Sequence, residues 1–202
     1  MAAKIFISPS DQFGNKYTGI DTTEGEQMGL LGQLLEVRLK KAGFETKLMH
    51  RYTMAEKVKA ANSWDADLYI CLHTNAGGGN GTRIFYWSKS SKGYTAGLKI
   101  FNQLGPITPG TNDKMIQDQT LFEIEYPYAP VVYVESEFHD DKQLALWIVD
   151  HLPEIAARIT AGVCEHFGVP VPGRKFSVCV GTYETEAEAS AAAASFRIIE
   201  EV

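Results

Sequence analysis

No run in this chain of 202 residues reaches the roughly 18–20 consecutive apolar residues that a membrane-spanning helix needs. Basic runs and basic stripes are equally lacking, and the net charge is −6, which argues against nucleic acid as a partner. Cysteine is scarce. Cys71, Cys164 and Cys179 make an odd count with no CxxC pair, so neither a disulfide framework nor a cysteine metal knuckle is indicated. Cys71 and Cys164 sit in apolar patterns and read as buried free thiols. The start, Met1-Ala2-Ala3-Lys4, passes straight into a strand-like run, with neither a long apolar stretch nor a small-residue cleavage site. The expectation is a protein made in the cytoplasm without a signal peptide. What is present is ordinary: 45% hydrophobic and 22% charged residues, in a chain long enough to bury one sizeable core.

The apolar pattern alternates between strand and helix. Lys4 to Ser8 predicts a buried strand that stops at Pro9, followed by a polar stretch from Ser10 to Thr23. Glu24 to Ala42 predicts a helix, with Met28, Leu31, Leu35 and Leu39 on one face. Thr23 and Glu26 are spaced as a capping box at its start, and Gly43 is its stop. Strands are predicted at Phe44 to Met49, Leu68 to Leu72, Thr82 to Trp87 and Val131 to Val134, and helices at Met54 to Asn62 and Tyr94 to Leu104. Gly105 to Asp118 reads as a long loop. A closing helix from Leu144 to Phe167 is expected to break or restart at Pro153. The alternation argues for an α/β sheet with helices on both faces.

Three domain segments follow: residues 1–168 as a catalytic-sized unit, 169–174 as a Pro/Gly linker, and 175–202 as a strand-helix tail. The tail is too short to bury a core alone, so it docks on the main unit, pairs with a second copy, or belongs to something longer.

Chemistry gathers where the apolar strands end. The first leads to Ser8, Ser10, Asp11 and Gln12; another leads to His73 and Asn75; the last leads to Glu135, with Glu137, His139 and Asp140 beyond it. In α/β sheets, sites form at the carboxyl ends of strands, and neighbouring parallel strands would bring these groups to one rim. Glu24, opening a helix after the first strand, would join them. A carboxylate and an imidazole suit zinc, whose catalytic sites take three protein ligands and keep a position for water. A further carboxylate such as Glu135 can move the proton that amide hydrolysis requires. Each residue also has a plainer reading: Glu24 as a dipole-favoured helix start, and His73 and His139 as structural or surface groups. His50, His151 and His166 are assigned to structure or solvent, and Trp87, Tyr126 and Tyr128 to packing, with a sugar-binding groove as the alternative use of one of them.

Together the segments Ile5 to Ser10, Thr23-Glu24, Ala61-Asn62, Ala66 to Ala76 with Gly81-Thr82, and Pro130 to Asp140 (PVVYVESEFHD) are similar to a known family. The chain resembles the N-acetylmuramoyl-L-alanine amidases of the Amidase_3 kind, especially those of phage endolysins from Gram-positive anaerobes. The resemblance implies a three-layer fold of the zinc amidase/carboxypeptidase type, with a twisted, mostly parallel mixed sheet. It also implies one Zn2+, and as substrate the peptidoglycan of a Gram-positive wall, reached after release from the cell. It carries zinc binding over to Glu24 and His73, and catalysis to Glu135. One departure stands out. The family's PGHGG segment, whose His binds zinc, is here Pro9-Ser10-Asp11-Gln12, with Asp11 at the aligned position. His139 is the expected third ligand, with Asp11 and Gln12 as alternatives and Asn75 as a further metal or substrate contact.

Three functions follow: a zinc amidase of the wall, a catalytically impaired peptidoglycan-binding protein on the same fold, and a related zinc hydrolase acting on a soluble peptide or acyl-amino acid. In the tail, Phe176 to Tyr183 followed by an Ala-rich helix is similar to the first half of a SPOR-type repeat, which implies wall binding or pairing of two copies.

Overall fold

The computed structural model describes residues 2–173. Contacts group Met1–Pro172 into one compact unit. The expected tail elements, the SPOR-like stretch and Cys179 lie outside the described residues.

Six strands and five helices are described: β1 (Lys4–Pro9), α1 (Glu24–Lys41), β2 (Glu45–Leu48), α2 (Met54–Ser63), β3 (Leu68–Asn75), β4 (Arg83–Tyr86), α3 (Ser91–Leu104), β5 (Lys114–Gln117), α4 (Phe122–Glu125), β6 (Val131–Phe138) and α5 (Lys142–Phe167). They form one sheet in the order β2-β1-β3-β6-β4-β5. β1 is parallel to β2 and β3, and β3 to β6; β4 alone reverses against β6, and β5 follows β4 in parallel. The three chemistry-bearing strands β1, β3 and β6 are therefore adjacent and parallel, and their carboxyl ends share one rim.

Strand alternation divides the core in two. Ile5, Ile7, Leu68, Ile70, Leu72, Val132 and Val134 face one side, where they pack with Met28, Leu31, Leu35 and Leu39 of α1, Ile100 of α3 and the apolar stripe of α5. Phe6, Tyr69, Cys71, Val131 and Tyr133 face the other, under Val58 and Ala61 of α2 and Ile124 of α4. His73 and Glu135 continue this second face beyond Cys71 and Tyr133. The capping box that starts α1 is formed, with the Thr23 side chain accepting from the Glu26 backbone and the Glu26 side chain accepting from the Thr23 backbone. Cys71 and Cys164 are buried and free.

Three expectations are corrected. The segment 105–118 is not wholly loop: after a single 3-10 turn at Gly105–Ile107 it forms β5, paired with β4. This strand carries only Met115 and Ile116 as apolar residues, too few for a periodic signal, and is held instead by its partner. β6 does not end at Glu135 but runs on to Phe138, so Glu135 lies inside the strand. The last helix is unbroken through Pro153. A proline inside a helix costs about 3 kcal/mol. The continuous buried stripe Ile148, Leu152, Ile155, Ile159 and Val163 outweighs that, at roughly 1.5–3 kcal/mol for each large side chain removed from water.

α3 and α5 touch through glycine. A Cβ on Gly162 would lie 2.5 Å from Ile100 Cα and 2.7 Å from its backbone nitrogen, and backbone cannot swing aside. Gly162→Ala is expected to lower unfolding stability by roughly 1–3 kcal/mol in denaturant titration; an unchanged midpoint would show that the two helices separate freely.

Candidate active site

The rim is built from three connections. β1 delivers Ser8 and Pro9 and then turns through Ser10 to Asn15; the capped start of α1 supplies Glu24; and the ends of β3 and β6 supply His73 and Glu135, which are register partners. Glu24 is 1% exposed. Its Oε1 accepts from His73 Nδ1 at 2.8 Å and its Oε2 from Asn15 Nδ2 at 3.0 Å. Burial alone would raise the Glu24 pKa, but the hydrogen bond and charge of His73, with bonds from Asn15 and Ser10, outweigh it and hold the carboxyl below its ordinary value.

His73 is stacked on Tyr133, with ring centroids 4.3 Å apart, so its orientation is set by packing as well as by Glu24. Its Nε2 is buried with no hydrogen-bond partner. Gln12 closes the group: its Nε2 lies 3.4 Å from His73 Nδ1, and its Oε1 accepts from Asn15 Nδ2 at 2.8 Å. Asn15 thus bridges Gln12 and Glu24.

Glu135 stands beside this trio. Its Oε2 accepts a short hydrogen bond from Asn75 Nδ2, and Asn75 Oδ1 accepts from the Ala76 backbone at 2.7 Å, which fixes the amide's orientation. Burial first, and then the negative charge of Glu24, push the Glu135 pKa up to about 7; the charge of Arg83 and the Asn75 hydrogen bond only partly offset them. Arg83 is the register partner of Glu135 on β4.

Two of the expected donors are drawn elsewhere. The ring of His139 stacks on Tyr17 at 5.1 Å and its Nδ1 pairs with Thr74 Oγ1 at 2.9 Å, not with Glu24 or His73. Asp11 is engaged by other partners: it pairs with Lys57 and accepts from the Arg51 backbone N–H at 2.5 Å. The cause is local: consecutive residues at the end of a strand point in different directions, so only one of Asp11 and Gln12 can face His73. Among the described residues, no three His, Cys, Asp or Glu side chains gather as a metal-binding group. The group that converges is therefore Glu24, His73 and the amide of Gln12.

Ligand atoms around one tetrahedral zinc lie about 3.3 Å apart, given bonds of about 2.0–2.1 Å. Glu24 Oε1 and His73 Nδ1, 2.8 Å apart, are close enough to share one ion, and Gln12, whose Nε2 lies 3.4 Å from His73 Nδ1, would offer its carbonyl oxygen after a turn of the amide. A carboxylate and an imidazole are strong zinc donors and a carboxamide is a weak one. The donor set fits zinc with one weak ligand.

Tyr133, Arg83, Asn15 and Lys57 were not singled out from the sequence. Tyr133 carries a usable signal, two residues before Glu135 on the same strand face; the others depend on contacts between distant segments. Tyr126 and Tyr128, assigned to packing, are instead 52% and 87% exposed.

The sequence profile of the Amidase_3 family, described as N-acetylmuramoyl-L-alanine amidase, matches residues 11–165. The chain belongs to the Amidase_3 family. Solved amidases share the fold. The catalytic domain of CwlV, an N-acetylmuramoyl-L-alanine amidase from Bacillus (Paenibacillus) polymyxa var. colistinus, is 19% identical with a TM-score of 0.74, over 84% of this chain and 100% of that one. AmiC2 of Nostoc punctiforme is 14% identical with a TM-score of 0.73, over 82% and 97%. The catalytic domain of the CD27L endolysin targeting Clostridia Difficile is 24% identical with a TM-score of 0.66, over 82% and 97%. No curated protein matches the chain. Membership makes this chain a peptidoglycan amidase by family, and no helix among the described residues is long and apolar enough to cross a membrane.

The raised Glu135 pKa has a stability consequence. Between its ordinary value of 4.5 and about 7, the folded state holds a proton that the unfolded chain has released. Stability of the metal-free protein therefore declines as pH rises through that window. Glu135→Gln should reduce this decline, by on the order of 1–3 kcal/mol between pH 5 and pH 8. Denaturant unfolding in chelator measures it, and identical pH slopes in the two proteins would contradict the assignment.

Proposed function

We propose that this amidase is a zinc enzyme that hydrolyses the bond between N-acetylmuramic acid and L-alanine in the wall of a Gram-positive bacterium. The observation that carries the reading is the convergence of Glu24, His73 and Gln12 beside a carboxyl group whose pKa lies near neutrality. Glu24 and His73 are the strong ligands and Gln12 is the third. The chemistry a zinc ion supplies there, when bound, is polarisation of the scissile carbonyl and acidification of a water.

Glu135 does the proton work. Poised between its two states at neutral pH, it accepts the proton of the attacking water and delivers it to the departing nitrogen of L-alanine, which leaves poorly as an anion. Asn75 holds the Glu135 carboxylate in one orientation for both steps. The likeness to the CD27L endolysin catalytic domain supports a lytic role of endolysin type, in which the protein meets the wall after release from the cell.

The weak third ligand gives a second reading its one support: a protein that binds peptidoglycan on this fold without cutting it. Metal content separates the two. About one zinc per chain, with wall lysis lost to chelator and regained with zinc, is the outcome for the enzyme.

Glu135→Gln is expected to reduce release of stem peptide from purified peptidoglycan by on the order of 10²–10⁴-fold while zinc content stays the same; full activity in that variant would sink the mechanism. Gln12→His replaces an amide with an imidazole and should tighten the zinc dissociation constant at least about tenfold in chelator competition. An unchanged constant would mean that the residue 12 side chain is not a ligand.

A further inference from the structure

The geometry points to Lys57 and Asp11 as positioning residues for the metal site, a buried ion pair that sets where Gln12 and Glu24 stand. This rests on the zinc reading above.

Lys57 lies on α2 and bonds neither Glu24 nor His73, yet it is 1% exposed. An ammonium group buried to that degree requires partners. It has two, at the end of β1 and the start of the connection that carries Gln12: the carbonyl oxygen of Pro9 at 2.7 Å and the carboxylate of Asp11. The Asp11 carboxylate accepts in turn from the Arg51 backbone N–H at 2.5 Å. Arg51 has a φ of 65°, a left-handed conformation that a non-glycine residue adopts only when its surroundings hold it there.

The same connection between β2 and α2 reaches the start of α1. His50 Nε2 lies 3.7 Å from Asp11 Oδ1 and donates to the Gly25 carbonyl at 2.9 Å. It fits against α1 only because residue 29 is glycine: a Cβ there would be 2.2 Å from the imidazole. The Arg51 guanidinium covers the Phe13 ring at 4.3 Å, and Phe13 lies against Gly25. Asp11 precedes Gln12 and Gly25 follows Glu24. The clamp therefore grips the chain one residue from each of these two donors. Two backbone bonds tie the gripped segments to each other, from Gly25 N to the Gln12 carbonyl and from Glu24 N to the Asn15 carbonyl. Partners outside the ligand shell that orient ligands typically govern metal affinity by 10–100-fold.

The test measures zinc dissociation constants by chelator competition for full-length wild-type, Lys57→Met, Asp11→Asn and the double variant, with Gly162→Ala as a control that is destabilised far from the site. Both single variants are expected to bind zinc about 10–100-fold more weakly. The double variant should be no weaker than the worse single, because each removes the same pair. Lys57→Arg, which keeps the charge, should recover most of the affinity. Hydrogen exchange of the Glu24 and Gly25 amides in metal-free protein should quicken in Asp11→Asn and not in Gly162→Ala. Affinity within twofold of wild type in Asp11→Asn, or a loss matched by Gly162→Ala, overturns the proposal. Should wild-type protein bind no zinc, the functional reading falls, and the positioning claim is decided by amide exchange alone: unchanged rates in Asp11→Asn overturn it.

Discussion

A carboxylate shut away from water must be matched or neutralised, and Glu24 is matched. At 1% exposure its charge survives because His73, Asn15 and Ser10 converge on it. His73 comes from β3 and Ser10 and Asn15 from the β1–α1 connection, so satisfying this one side chain of α1 draws three segments to one point. The parallel pairing of β1, β3 and β6 makes this convergence geometrically available, and the capping box at Thr23 places Glu24 at the first turn of α1, where a negative charge also suits the helix dipole.

The same charge acts at a distance on Glu135. Burial of both carboxyls in one region separates their proton affinities, so that Glu24 is held ionised and Glu135 is held near neutrality. Two acids on one rim are thereby set apart in proton affinity, which suits the different roles proposed for them. Neither role belongs to glutamate as such. Each follows from how many hydrogen bonds reach the carboxylate, several for Glu24 and one from Asn75 for Glu135.

Much of this was readable in the sequence, because apolar runs and helix caps are local signals. β1, β3, β6 and α1 announce themselves by continuous Ile/Leu/Val stretches and by Thr23 with Glu26, and the residues at their ends include Glu24, His73, Gln12 and Glu135. β5 and α4 were missed for a common reason. Each has few apolar residues and is anchored by a contact from far along the chain: Asp113 Oδ1 accepting from Thr82 N beside β5, and Glu123 accepting from Ser8 and Tyr69 on α4. Which of Asp11, Gln12 and His139 stands against His73 was unreadable for the same reason. It depends on which way one loop turns, and that is decided by Lys57 and Thr74, neither of which carries a signal of its own. Pro153 misled in the other direction, since a local rule about proline yields to a long apolar stripe.

The reversal of β4, which β5 follows, has an effect on how the rim is assembled. Because β4 descends where β3 and β6 ascend, its first residue, Arg83, sits beside Glu135, and the chain from Asn75 to Arg83 needs only a short arch. Glu137 pins that arch by accepting from Gly81 N, and a neighbouring one by accepting from Gly110 N. The arches beside Glu135 are thus hung from β6, while Glu24, His73 and Gln12 are brought together from α1, β3 and the β1–α1 connection. Residues 76–82 are tethered through β6 by bonds separate from those that hold Glu24 and Gln12, so this part of the rim can vary in length while those two contacts stay intact.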